Sequence, residues 1–145
     1  MEENIMETIA STGVPSAERP AYDRIATAIA LQKYTYALVP IVAGLDKFTH
    51  LLTDWGQYLA PVVADMLPFS TATFMGVVGI IEILAGLLVL IKPRIGALVV
   101  GLWLVSISVN LLLTGQYLDI AVRDLVMAVG AFSLYLLLGE VKTQR

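Results

Sequence analysis

The stretch Phe74-Met-Gly-Val-Val-Gly-Ile-Ile-Glu-Ile-Leu-Ala-Gly-Leu-Leu-Val-Leu-Ile91 decides the fold. It is apolar throughout except for Glu82, and its length approaches the ~20 residues that cross a bilayer core as a helix. A carboxylate at that depth costs roughly 2.5–3.5 kcal/mol even on the gentler insertion scales. Glu82 is therefore expected to face protein or water, with a partner elsewhere in the chain.

The whole composition agrees with that stretch. Of 145 residues, 58% are hydrophobic and only 14% charged, with a mean hydropathy of +0.82, well above a soluble domain. An integral membrane protein of one domain is expected. Cysteine is absent, which removes disulfides, thiolate metal sites and thiol relays, and a single histidine, His50, argues against a multi-histidine metal or haem site. No P-loop, dinucleotide fingerprint, nucleophile elbow or metal-ligand spacing occurs, so no metal site and no nucleic-acid partner are expected.

Working outward from Glu82, three strong spans follow one another: 73–91, 95–113 and 119–138. Lys92-Pro93-Arg94 and Thr114-Gly-Gln-Tyr-Leu118 join them as tight antiparallel turns. A weaker span precedes them, about 21–52, starting at Ser16 or Pro20. Lys33, Asp46, Lys47 and His50 interrupt it, and Pro40 is a site for a bend. Between it and the second span, residues 53–68 carry Trp55 and Tyr58, which favour the headgroup layer, and are punctuated by Pro61 and Pro68. A short interfacial segment is expected there. The fold class is thus all-α: a transmembrane four-helix bundle over residues 20–139.

Four crossings place both termini on one side, together with seven of the nine basic residues: Arg19, Arg24, Lys33, Lys92, Arg94, Lys142 and Arg145. Only Lys47 and Arg123 fall on the other. This bias puts both termini in the cytoplasm, and a prokaryotic cell (inner) membrane is the expected location. Residues 1–19 open Met1-Glu-Glu-Asn-Ile-Met-Glu7, acidic and without an apolar run before Pro15. They read as a flexible polar tail rather than a secretory signal, and 140–145 as a cytoplasmic tail. Lys92 and Arg94 act as topology determinants and as contacts for anionic lipid.

The intramembrane polar residues converge on the outer half. Asp46, Lys47 and His50 end the first helix, Asn110 lies one turn from the outer end of the third, and Asp119, Arg123 and Asp124 open the fourth. Glu82 lies roughly 13 Å inward along the second helix. Gly79, Glu82, Ala85 and Gly86 share a stripe of small residues, which lets a neighbouring helix approach and points Glu82 into the bundle. Ser106 and Asn110 form a polar stripe on the third helix with Trp103 one turn below. Asp119 and Arg123, and likewise Asp46 and His50, stand four apart and can meet within their own helices. Trp103 and Tyr135 read as packing or lipid contacts, and Asp54 and Asp65 as groups that solvate the outer loop.

Two readings of this cluster stay open on the residues alone. In one, Lys47 or Arg123 neutralises Glu82, Asn110 bridges helices, and the network sets helix register. In the other, the cluster is a ligand or proton site opening to the outer face.

Two blocks, Ala43-Gly-Leu-Asp-Lys-Phe48 and Gly79-Ile-Ile-Glu-Ile-Leu-Ala-Gly-Leu-Leu-Val-Leu-Ile91, resemble the DoxX family of small four-helix membrane proteins. The resemblance covers residues 34–138. It implies a shared polar core that includes Asp46, Lys47 and Glu82, and a membrane subunit of the kind associated with archaeal thiosulfate:quinone oxidoreduction; the residues themselves show no cofactor site, and quinone contact is an expectation of the resemblance alone. The bundle is also similar to that of vitamin K epoxide reductases, but their cysteines are missing here, which argues against thiol chemistry. The expectations are a non-catalytic subunit or scaffold with partner subunits in the lipid bilayer, or an oligomeric proton-coupled transporter or channel built on Glu82. A standalone quinone-linked enzyme lacks an electron-donor site.

Overall fold

The computed structural model describes residue 3 and residues 19–143, with side chains from 21 to 139. The expected tail over 1–19 and residues 144–145 lie almost wholly outside that range. Among the described residues every regular element is helical. Four long helices follow in order: α1 Arg19–Thr49, α2 Thr71–Ile91, α3 Pro93–Thr114 and α4 Leu118–Thr143. Each is long and apolar enough to cross a membrane, as a multi-pass membrane protein requires. A 3-10 turn, Trp55–Tyr58, and a one-turn helix, Pro61–Ala64, lie between α1 and α2.

Local chemistry sets the boundaries. Ser70 caps α2 by accepting the Thr73 amide at 3.2 Å. Pro93 sits in the first turn of α3, where its missing N–H costs nothing, so Lys92 alone separates α2 from α3. Gly115 closes α3 in the left-handed conformation, φ 69°, with its amide on the Leu112 carbonyl. Helix α1 stops at Thr49, short of the expected Leu52, because the Asp46 carboxylate captures the Leu51 and Leu52 amides at 2.9 and 3.1 Å. Helix α4 runs five residues past the expected Leu138.

The helices pack in chain order, α1 on α2, α2 on α3 and α3 on α4, and α4 returns to α1. The backbones of α1 and α2 approach closely. A Cβ on Gly44 would stand 2.5 Å from the Gly79 carbonyl oxygen, and one on Gly79 would stand 2.7 Å from that of Gly44. Small residues at a membrane-helix contact allow such an approach. The return of α4 to α1 is pinned by Tyr36, whose hydroxyl donates to the Met127 carbonyl at 2.7 Å with its ring against Gly130. Ser108 ties α3 to α4 through the Ala121 carbonyl, 3.2 Å away.

Apolar packing fills the middle and the end that carries the termini. One cluster gathers Ala37, Ala85, Val89, Val100 and Ala131, and another gathers Ile29, Ala97, Leu134 and Leu138. The opposite end, beneath residues 50–70, holds most of the buried polar groups. Outward-facing large side chains such as Leu31, Leu84, Leu102 and Val126 leave an apolar belt around the helices. In water such a belt would aggregate; against lipid it is the expected surface.

The glycine contact gives a direct test. Gly44→Ala is expected to cost about 1–3 kcal/mol through overpacking, read as a fall in the unfolding midpoint in detergent. Gly76→Ala is the control, because its Cβ would meet only the Phe48 ring, at 3.7 Å, and is expected to be neutral or mildly stabilising.

Candidate functional site

Glu82 has its partner. Lys47 Nζ lies 2.6 Å from Glu82 Oε2, and the two side chains are only 4% and 6% exposed. It is the one ion pair among the described residues. Arg123, the alternative cation, is exposed on α4 and does not reach Glu82.

The local sequence explains how Lys47 gets there. Gly44 brings α1 against α2, so the Lys47 Cβ lies beside Gly79, 3.2 Å from where a Cβ of that glycine would be. A lysine near a helix end would otherwise snorkel toward the headgroups. Here the ammonium turns inward, drawn down by Glu82 and covered above by Trp55, whose ring centroid is 3.8 Å from Nζ. A desolvated cation–π contact of this kind is worth about 2 kcal/mol. Phe48, the next residue of the block, lies against Gly76 and Gly79.

Trp103 completes the shell. Its Nε1 donates to Glu82 Oε1 at 3.4 Å, the long end of a hydrogen bond, so both carboxylate oxygens face a donor. The pair thus joins α1 and α2 directly, α3 through Trp103, and the loop through Trp55. Both tryptophans of the chain contact it.

Asp46 has a different task. Its buried carboxylate accepts Thr49 Oγ1 at 2.9 Å, Trp55 Nε1 at 2.8 Å, and the Leu51 and Leu52 amides. Four donors satisfy the charge with no cation beside it. Successive residues on a helix point about 100° apart, so Asp46 serves the loop while Lys47 serves α2. Trp55 spans the two, hydrogen-bonded to one and stacked on the other.

The remaining candidates disperse. Asn110 binds the loop rather than a neighbouring helix: it accepts the Ala60 amide at 3.0 Å and donates to the Tyr58 carbonyl at 2.7 Å. His50 is exposed, with φ 52°, and meets Asp46 only through its backbone amide, 2.7 Å from the Asp46 carbonyl. Asp119 and Arg123 are both exposed and form no ion pair with each other. Asp124 is half-buried, within electrostatic reach of Glu82 and Arg123. Of the eight expected residues, the structure brings Lys47 and Glu82 into direct contact, sets Asp46 and Asn110 to anchoring the loop, leaves Asp124 half-buried on α4, and leaves His50, Asp119 and Arg123 at the surface.

The sequence reading missed Trp55 and Trp103 as members of the site. Trp103 had a weak signal, since it lies one turn from the polar stripe of Ser106 and Asn110, although Ser106 itself is exposed. Trp55 had none, because a loop has no periodicity to say which way a side chain points. Among the described residues no cluster of three or more His, Asp or Glu could hold a metal ion.

Comparison of the chain with protein-family models, with curated proteins and with solved structures yields no match.

The energetics of the pair are testable. Lys47→Met strands the Glu82 carboxylate in apolar surroundings and is expected to cost about 3–5 kcal/mol, whereas replacing both ions by apolar residues is close to neutral. The Lys47→Met, Glu82→Leu double variant should therefore recover most of the loss in a thermal unfolding cycle in detergent.

Proposed function

We propose that this chain is a DoxX-like integral membrane protein of a prokaryotic cell membrane, a four-helix bundle with both termini cytoplasmic, serving as a non-catalytic subunit or scaffold of a membrane complex. The observation that carries the reading is how fully the buried charges are used. Lys47, Glu82 and Asp46 are each held by partners from other elements, and those partnerships join helices and loop. A carboxylate that carries protons or ions needs to exchange partners during turnover. Glu82, held on both oxygens, has the arrangement of a structural clasp, and this favours the scaffold over the transporter. The wide apolar belt supports membrane residence and leaves large flanks against which partner helices could pack.

The polar groups at the pair do not fit a quinone in this arrangement. The Lys47 ammonium and the Trp103 N–H, the donors a quinone carbonyl would need, are directed at Glu82. Quinone contact is carried only by the resemblance.

Purification from native membranes in mild detergent, followed by mass spectrometry, is expected to return a stoichiometric membrane partner. A monodisperse, partner-free protein would overturn the scaffold reading. Orientation has a separate test, made clean by the absence of native cysteine. Gln57→Cys should react with an impermeant maleimide on intact cells and Lys142→Cys only after lysis; the reverse pattern would invert the topology.

A further inference from the structure

We propose that residues 50–70 form a lid over the Lys47–Glu82 pair, hinged at His50 and latched by Trp55, whose opening admits water to the pair from the loop end. This goes beyond the scaffold reading and does not rest on it.

The hinge is a strained residue. Among the described residues His50 is the one non-glycine with positive φ, at 52°. An L side chain meets its own carbonyl in that region, so the conformation persists only where surroundings impose it. Asp46 imposes it: its carbonyl takes the His50 amide, and its carboxylate takes the next two amides. Freed from Asp46, the backbone at His50 would relax to an ordinary region of φ and swing the loop that follows.

The latch is discrete. Trp55 donates to Asp46 and stacks on Lys47; Asn110 holds Tyr58 and Ala60; Tyr117 donates to Gln57 Oε1 at 3.4 Å. Residues 61–69 add no side-chain hydrogen bond or ion pair to the long helices among the described residues. The lid's directional contacts to the long helices thus lie in its first half, beside the buried Leu59 and Ala60 and the Tyr58–Tyr117 ring contact. Few directional contacts make an element that opens as a unit.

What lies beneath gives the lid its consequence. The pair is buried, and the Trp55 ring covers the loop-facing side of the ammonium. With Trp55 lifted, water reaches Lys47, the local dielectric rises, and the attraction between the two charges falls steeply. Lid position and the strength of the α1–α2 clasp are therefore coupled.

The test uses the purified full chain in lipid nanodiscs, open to reagent on both sides. Leu59→Cys places a thiol at a buried lid position, and Ala131→Cys is a buried control in the helix core. Adding Trp55→Phe, which keeps the ring but loses the N–H, should speed maleimide labelling of Leu59→Cys by about tenfold, the scale of one lost charge-assisted hydrogen bond, and Asp46→Ala, which removes four such bonds, should speed it by more than that. Adding His50→Gly, which relieves the left-handed strain, should slow it by about fivefold. Ala131→Cys should stay shielded in every background. Equal labelling of Leu59→Cys in all backgrounds would mean a rigid cap and overturn the proposal; a parallel rise at Ala131→Cys would mean general loosening and overturn it equally. Should Leu59→Cys fail to fold, Trp103→Phe leaves Trp55 as the sole indole, and its iodide quenching should rise with Asp46→Ala. Unchanged quenching would count against the lid.

Discussion

The Lys47–Glu82 ion pair is the constraint on which the rest of the structure depends. Each charge alone would keep its helix from settling in an apolar environment, and together they are tolerated at one mutual position. A buried pair of this kind adds little stability compared with well-packed apolar residues. Its effect is selective, because sliding α1 against α2 by one turn would leave two stranded charges. The pair therefore sets register more than it adds stability.

Glycine makes that register reachable. Gly44 and Gly79 each stand three residues before a member of the pair, so the close backbone contact and the charges share one face of each helix. The backbone approach lets Lys47 turn inward to Glu82 instead of outward to the surface. Asp46, beside Lys47 on the chain, then uses its own carboxylate to end α1 and to place Trp55 over the ammonium. One six-residue block, Ala43–Phe48, thus supplies the helix contact, the loop anchor, the cation and the ring that packs against Gly76.

Much of this was legible in the residues. The spans of α2 and α3 followed from apolar length and the short turns, within two residues at each end. The inward direction of Glu82 followed from its small-residue stripe, and Lys47 was one of the two cations, with Arg123, that the same half of the bundle offered it. What was less legible involved side chains that reach out of their own element. Asn110 looked like a bridge between helices and instead holds loop backbone. Asp119 and Arg123 have the spacing of a pair, yet both stay exposed and apart. Spacing shows which residues share a helix face, and it is silent on whether that face meets protein or lipid.

The sequence by itself determined the class of the protein: four apolar helices, polar groups gathered toward one end, and a carboxylate that had to find a cation. Hydrophobic length and the cost of buried charge are properties of single segments, so they can be read from a string of residues. Only the tertiary structure decided that both tryptophans enclose the pair, that Asp46 works for the loop, and that His50 is held in a left-handed hinge. Those outcomes depend on which surfaces face one another across helix and loop, and that is settled by packing between elements distant in the chain.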